Sequence, residues 1–186
     1  PQSLNDEVRN PFRLMSMGLE WLVKGSGPLT VCAGQVGGGA CSEFAKESRA
    51  DVQFTVMPFS ADKAGDPLHR YSGFTAAVYQ CRPESRGVLE IKSIDPYSDP
   101  RIVPNYLCEK LDQKTLVSGV KMLREIYQQP AFKSLFDKEM LPGPSASNDD
   151  DILNFARNSG GTVFHPSGTC RMGSDEISVV DPDLNV

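Results

Sequence analysis

The sequence predicts an α+β fold in which a mainly antiparallel sheet carries helices packed on one face. Strand-like segments follow one another closely at residues 51–59, 72–81 and 87–93, and the longer helical patterns at 112–128 and 149–157 come later. Regular alternation of strands and helices would indicate a doubly wound parallel sheet, and the chain lacks that alternation.

The first element is a helix at residues 11–24. Pro11 suits the first turn of a helix, and Gly25 suits the position just after its end. Apolar side chains recur at helical spacing along this segment, and we expect them to pack in the core. These residues are Leu14, Met15, Gly18, Leu19 and Leu22.

The glycine-rich segment at 25–41 admits two interpretations. It is either a mobile loop over a pocket or a connection that lies close to a neighbouring sheet. Residues 51–59 then alternate and are rich in β-branched and aromatic side chains, which indicates a strand. The polar segment 60–72 is a loop. Residues 82–86 read as a hairpin connection between the second and third strands.

Three prolines stiffen residues 94–107 into an extended connection. Asp112 is placed to cap the following helix, and Asn148 or Asp149 is placed to cap the last one. Between these two helices, residues 131–138 are expected to form a short helix.

Composition limits the classes of partner. The 186 residues suffice for one sizeable core, and the net charge of −5 without a basic stripe argues against nucleic acid. No apolar run approaches the ~20 residues of a membrane helix, and the first residues do not resemble a signal peptide. Five widely spaced cysteines show no metal-binding spacing, so we expect reduced, mostly buried thiols and favour a cytoplasmic location.

The segment from Phe164 to Gly173, FHPSGTCRMG, holds one of the two histidines of the chain. Pro166 pushes His165 into an extended conformation at what we expect to be the end of a strand over 162–164. A rigidly held histidine suits a general base, because its proton moves readily near neutral pH. The alternative is a histidine that only caps a turn. The other histidine, His69, is expected to be a solvated loop residue.

Several motifs together resemble one known family. The histidine segment is accompanied by CRPESRG at 81–87, DPYSDP at 95–100, PNYL at 104–107 and VDPDLNV at 180–186, in that order. This series is similar to the C-terminal part of the glucose–methanol–choline (GMC) family of FAD-dependent oxidoreductases. The resemblance covers roughly residues 50–186 and is looser over 1–49.

The resemblance implies that residues 1–165 are a GMC substrate-binding domain and that 166–186 begin the return to an FAD-binding domain. No Gly-x-Gly-x-x-Gly motif is present, so the chain is expected to be truncated from a two-domain flavoenzyme. FAD is then expected in the full-length parent, and the fragment is expected to bind none and to be inactive. The sheet face that would meet the flavin domain is expected to expose apolar surface and to favour self-association.

By the same resemblance, the parent is similar to choline dehydrogenase and oxidises the CH–OH group of a small alcohol. His165 is then the base that takes the hydroxyl proton while hydride goes to the flavin, and Phe164 lines the substrate pocket. Two alternatives remain open at this point. One is a hydroxynitrile lyase built on the GMC scaffold, and the other is a binding module without catalysis.

Overall fold

The chain begins with two helices, α1 (Leu4–Arg9) and α2 (Pro11–Lys24). The Asn10 side chain caps α2 by accepting hydrogen bonds from two backbone N–H groups, and Gly25 ends it with a φ of 62°. This computed structural model describes residues 3–30, 32–63 and 65–186, so one residue of each loop predicted at 25–41 and 60–72 lies outside the described residues.

A buried amide is one of the groups that join α1 to the rest of the fold. Asn5 is 0% exposed, and its Nδ2 donates to the carbonyl oxygens of Ser60 (3.1 Å), His69 (3.0 Å) and Tyr71 (3.3 Å). Its Oδ1 accepts from the Ser60 N–H at 2.9 Å. Because a buried amide without partners is destabilising, these bonds fix how α1 docks on the 60–72 loop.

The main sheet has three antiparallel strands in the order β1 (Val36–Ala40), β2 (Val52–Met57) and β3 (Thr75–Gln80). Gly38 lies opposite Phe54, and Phe54 lies opposite Val78. The two strands predicted at 51–59 and 72–81 are confirmed. The glycine-rich segment contributes an edge strand, which agrees with the interpretation that it lies beside a sheet.

A separate two-stranded sheet pairs β4 (Val88–Glu90) with β5 (Arg101–Val103) in antiparallel fashion. The predicted hairpin between the second and third strands is therefore wrong, since β3 pairs with β2 and β4 pairs with β5. The physical reason lies in the turn at 82–86. Pro83 has no N–H to offer, and the next two backbone N–H groups donate to the side chain of Asp112 instead of to a partner strand.

Two longer helices, α3 (Lys110–Tyr127) and α4 (Asp149–Ser159), complete the fold. The core between α3 and the sheet is formed by Val52, Phe54 and Leu123. At Gly119 the helix lies so close to the sheet that an added Cβ would stand 2.6 Å from Val78 Cγ1. The second core cluster joins α4 to α3 and contains Val117, Ala146 and Ile152.

The connection between α3 and α4 differs from the prediction. Residues 131–138 form successive turns rather than a short helix, so that prediction is wrong. The turns bring the rings of Phe132 and Phe136 to 5.7 and 5.0 Å from the ring of Tyr127. Packing of these aromatic rings outweighs the weak helical preference of a short segment that follows Pro130. At the start of α4, Asn148 is the cap, as one of the two predicted alternatives has it.

The apolar stripe predicted to be core in α2 is exposed instead. Met17 is the buried residue of α2, and Leu19 and Leu22 lie on its solvent side. The reason is that, among the described helices and strands, α2 packs against α1 and the short 3₁₀ turn Pro28–Thr30 alone. The exposed apolar surface expected on the main sheet is found chiefly on α2 and around the β4–β5 sheet, and none of the large exposed apolar side chains belongs to β2 or β3.

The cysteines also differ from expectation. All five are free, as expected, but all five are exposed, so the prediction of mostly buried thiols is wrong. They lie in loops or at the ends of elements and not in the helix–sheet core. Within the described residues no helix combines the length and the apolar character needed to cross a bilayer, and no group of three or more potential ligands could hold a metal ion.

Candidate active site

The histidine loop, residues 160–173, follows directly on α4. It contains no strand over 162–164, so the prediction that a strand carries His165 is wrong. The Thr162 Oγ1 accepts a hydrogen bond from the N–H of Phe164 at 3.0 Å, and Phe164 adopts a φ of 58°. This side chain closes a tight turn just before the histidine, which takes the backbone out of the extended conformation.

His165 itself is exposed at the surface of this loop. Within the described part of the chain it makes no hydrogen bond and no ion pair, so it does not act as the cap of a turn. Pro166 restricts the backbone on one side, and the turn at Thr162 restricts it on the other. The imidazole is therefore presented on a constrained backbone with both ring nitrogens open to a ligand.

Phe164 is exposed and occupies the left-handed region of backbone conformation. That region is unfavourable for a bulky side chain, at roughly 1–3 kcal/mol. Backbone strain of this kind is concentrated at ligand-binding and catalytic positions in proteins. The strain falls on the residue just before the histidine, so the two candidate site residues belong to one strained turn.

A series of hydrogen bonds ties the histidine loop to the rest of the fold. The Tyr106 hydroxyl donates to Thr162 Oγ1 at 3.1 Å. The neighbouring Asn105 side chain donates to the carbonyl oxygen of Arg86 at 3.0 Å, and the N–H of Glu109 donates to Ser85 Oγ at 3.2 Å. The turn at 82–86, the connection after β5 and the histidine loop are thereby linked.

Asp112 anchors this network to α3. It is 1% exposed, and its carboxylate accepts from the N–H groups of Glu84 and Ser85, both at 2.8 Å, and from Gln80 Nε2 at 2.9 Å. Burial pushes the pKa of this carboxyl upward, but the hydrogen bonds outweigh it and hold the pKa below its usual value. The prediction that Asp112 caps α3 is wrong, because Glu109 is the N-cap and Asp112 serves the neighbouring turn.

The segment after the histidine loop consists of small turns closed by carboxylates. Asp175 accepts from Arg171 and from Ser178 Oγ, and Asp181 accepts from the N–H of Asn185 at 2.8 Å. The pKa of Asp175 is lowered chiefly by the bond from Arg171, and that of Asp181 chiefly by the backbone bond from Asn185. These turns hold residues 171–186 without regular secondary structure, apart from one isolated β-bridge.

The second histidine has a different environment from the one predicted. The His69 side chain is only 18% exposed, so the prediction of a solvated histidine is wrong. Its Nδ1 lies 3.1 Å from Ser60 Oγ and its Nε2 lies 3.2 Å from Asp62 Oδ1. The ring also stacks on Tyr71 at a centroid distance of 4.7 Å. These contacts place His69 in the loop that receives Asn5, where it supports structure.

The described residues do not fit FAD. One cavity of about 110 Å³, lined by residues of α3, the start of α4 and the 43–44 turn, is far too small for a dinucleotide. A hollow of about 530 Å³ at the junction of α1 and α2 is wide open and is lined by five residues. The Gly37–Gly39 run lies inside strand β1, whereas the dinucleotide-binding motif has its glycines at the start of a helix.

Comparisons with known proteins agree on the family and on the fold. A family model described as GMC oxidoreductase matches residues 83–186. The chain is 38% identical over 149 residues to the "Alcohol dehydrogenase [acceptor]" of Pseudomonas putida, covering 80% of this chain and 27% of that protein. It is 36% identical over 172 residues to the "Oxygen-dependent choline dehydrogenase" of Escherichia coli O139:H28, covering 91% of this chain and 30% of that protein.

A solved structure shows the same fold at lower sequence identity. Formate oxidase of Aspergillus oryzae RIB40, determined in connection with its FAD modification, superimposes with a TM-score of 0.88 at 19% identity. The match covers 99% of this chain and 37% of the oxidase. The chain thus spans less than a third of the two curated relatives in length. With 104 consecutive residues matched by the family model, it belongs to the GMC oxidoreductase family.

Proposed function

We propose that this chain is the substrate-binding part of an FAD-dependent alcohol oxidoreductase similar to choline dehydrogenase. The observation that carries the proposal is the exposed and unpaired His165 on a strained, constrained turn. The curated relatives support it, since their names describe oxidation of alcohols and of choline.

The role that we propose for His165 is that of general base. An imidazole nitrogen without a protein partner can accept the proton of a substrate hydroxyl as the C–H bond is broken. FAD, when bound, supplies the hydride acceptor for this kind of reaction. Since the described residues do not fit FAD, we propose that the FAD-binding domain of the same parent protein holds it.

Phe164 has a proposed part in substrate binding. Its exposed ring adjoins the base in sequence and offers an apolar surface to the carbon skeleton of a small alcohol. The strained backbone at this residue limits where the ring and the imidazole can lie relative to each other. Both residues would then be held by the Thr162 turn and by its bond from Tyr106.

The test compares the full-length wild type with His165→Gln and His165→Ala in anaerobic flavin reduction by choline, benzyl alcohol and aliphatic alcohols. Loss of a general base should slow reduction by about 10²-fold or more. His69→Gln is the matched control and should leave the rate close to that of the wild type. Visible absorbance of each purified variant reports whether FAD is retained, which separates a lost base from a lost cofactor.

Two outcomes would contradict the proposal. Equal rates in the wild type and both His165 variants would show that this histidine is not the base. A flavin that no alcohol reduces would point to the lyase or the binding alternative. For the isolated chain we propose that no FAD is retained and no turnover occurs, and a yellow protein with one FAD per chain would contradict that part.

A further inference from the structure

The central part of the histidine loop, residues 161–170, is held by few polar contacts. Of the hydrogen bonds and ion pairs that these residues make with the described part of the chain, one reaches outside the loop, and it runs from the Tyr106 hydroxyl to Thr162 Oγ1. The other, from the Phe164 N–H to the same oxygen, lies within the loop. All ten residues are exposed, so side-chain packing adds little to this attachment. The placement of His165 therefore depends on one oxygen atom of Thr162.

That oxygen joins two bonds with different tasks. A hydroxyl oxygen has two lone pairs for accepting hydrogen bonds. One accepts the Phe164 N–H at 3.0 Å, which closes the turn just before His165. The other accepts the Tyr106 O–H at 3.1 Å, which fixes that turn relative to the rest of the fold. Tyr106 can therefore act on the imidazole through Thr162.

Tyr106 projects from a segment that is fixed independently of the histidine loop. On one side, the Asn105 side chain donates to the carbonyl oxygen of Arg86 at 3.0 Å. On the other side, Nε2 of Gln113, in α3, donates to the carbonyl oxygen of Leu107 at 2.8 Å. The phenol is therefore carried by backbone that is tied both to the turn at 82–86 and to α3.

The backbone is strained on both sides of the bond between Tyr106 and Thr162. Asn105 and Leu107 adopt φ values of 53° and 58°, and Phe164 adopts 58°. Asparagine tolerates this left-handed conformation, whereas it is unfavourable for leucine and phenylalanine. Such strain persists only where the surrounding structure enforces it, and it is concentrated at functional sites. Two strained segments that are far apart in the sequence thus meet at a single hydrogen bond.

We propose that Tyr106, acting through Thr162, is a positioning residue for His165. This inference rests on the function proposed above, in which His165 is the general base. A base must lie within hydrogen-bond reach of the proton that it takes, and a small misplacement of a catalytic group slows the reaction strongly. A role in global stability alone fits less well, because Tyr106 is 61% exposed and the loop that it holds is exposed too.

Anaerobic flavin reduction of the full-length protein, measured over a range of choline and of benzyl alcohol concentrations, tests the proposal. Tyr106→Phe should lower the limiting rate by about 2- to 10-fold, the factor expected for one hydrogen bond, and leave the half-saturating alcohol concentration nearly unchanged. Thr162→Val removes both bonds and should be slower still, whereas Thr162→Ser keeps the oxygen and should restore the rate. Tyr97→Phe is the matched control, and it should behave as the wild type.

A His165→Gln background separates positioning of the base from a general effect on the protein. Tyr106→Phe should slow the wild type but cause no further slowing in His165→Gln, because no base is left to position. Slowing by the same factor in both backgrounds would overturn the proposal.

Hydrogen exchange of the peptide that contains Phe164, measured without substrate, distinguishes failure of this inference from failure of the proposed function. Tyr106→Phe should speed this exchange at an unchanged melting temperature. Unchanged exchange and an unchanged rate would refute the positioning role and leave the role of His165 intact. Faster exchange in Tyr106→Phe, with equal reduction rates in the wild type and His165→Gln, would refute the base but show that Tyr106 holds the loop. A lowered melting temperature with faster exchange throughout the protein would assign Tyr106 to global stability and contradict the proposal.

Discussion

Replacing Asp112 by alanine should loosen the link between α3 and the turn at 82–86. The carboxylate is 1% exposed and accepts two backbone N–H groups and one side-chain amide. Alanine leaves these three donors without their acceptor, and a buried donor without a partner is destabilising by about 1–3 kcal/mol. The loss of local stability should be largest at the three donor residues and should extend from them toward β4.

The size of the effect follows from burial. Glu84 is exposed and Ser85 is half-buried, so their N–H groups can recover part of the loss by turning toward water. We therefore assign each backbone donor the lower end of the ~1–3 kcal/mol range, about 1 kcal/mol. For the three donors together, we expect the free energy of unfolding to fall by about 2–3 kcal/mol. Asp112→Asn keeps the shape of the side chain and one acceptor oxygen. Its free energy of unfolding should therefore lie between those of the wild type and Asp112→Ala.

Hydrogen exchange read by mass spectrometry, together with thermal unfolding of the full-length protein, would measure this loss. A loss of about 2 kcal/mol corresponds to roughly 30-fold faster exchange of the amides at 84 and 85. Asp99→Ala removes an exposed carboxylate from the loop between β4 and β5, and it should change neither the exchange at 84 and 85 nor the melting temperature. Unchanged exchange at 84 and 85 in Asp112→Ala would refute the reasoning.

The same carboxylate predicts a dependence on pH. Its folded pKa is lowered, so its stabilising contribution is complete above the unfolded carboxyl pKa of about 3.9 and is lost as the pH falls through the folded value. The difference in stability between the wild type and Asp112→Asn should therefore be constant near neutral pH and shrink in acid. A difference that grows on acidification would mean that the sign of the shift is wrong.

Three further predictions concern other parts of the fold. Gly119→Ala should lower the melting temperature although alanine favours helices by about 1 kcal/mol, because its Cβ would press on the sheet and overpacking is destabilising by about 1–3 kcal/mol. Gly18→Ala has open space and should raise stability slightly, and equal effects at both glycines would contradict the close packing. Burial, with a smaller contribution from a nearby carboxylate, raises the pKa of Tyr127 to about 12. Tyr127→Phe should therefore remove a step near pH 12 from an ultraviolet titration of the tyrosines. Tyr106→Phe should speed amide exchange in the histidine loop and slow flavin reduction several-fold at unchanged melting temperature, whereas Tyr97→Phe should do neither.

Local signals in the sequence predicted several elements well. The helix at 11–24 begins at a proline and ends at a glycine, and both features act within a few residues. The strand at 51–59 was predictable from a similarly local signal, because its buried residues alternate along the chain. The role of His165 rests on its motif and on the family resemblance, and it stays a prediction.

Strand pairings and contacts between residues far apart in the sequence were not predictable. Residues 36–40 are mostly glycine and have little intrinsic preference for a strand, so only pairing with β2 makes them one. The partner of β4 was predicted wrongly because the backbone N–H groups of the 82–86 turn donate to Asp112, which lies far along the chain. Those N–H groups are therefore not available for the predicted hairpin. The bond from Tyr106 to Thr162 joins residues 56 positions apart and leaves no pattern in the sequence.

The long-range hydrogen bonds of Asn5 in α1 have a consequence for the order of folding. Asn5 meets partners 55 to 66 residues away, so its bonds can form only when the 60–72 loop has come back to α1. Closing a loop of that length carries a substantial entropic penalty, whereas β2 and β3 are joined by a much shorter connection. Among the elements described above, we expect α1 to be the last to acquire native structure and the first to detach on heating.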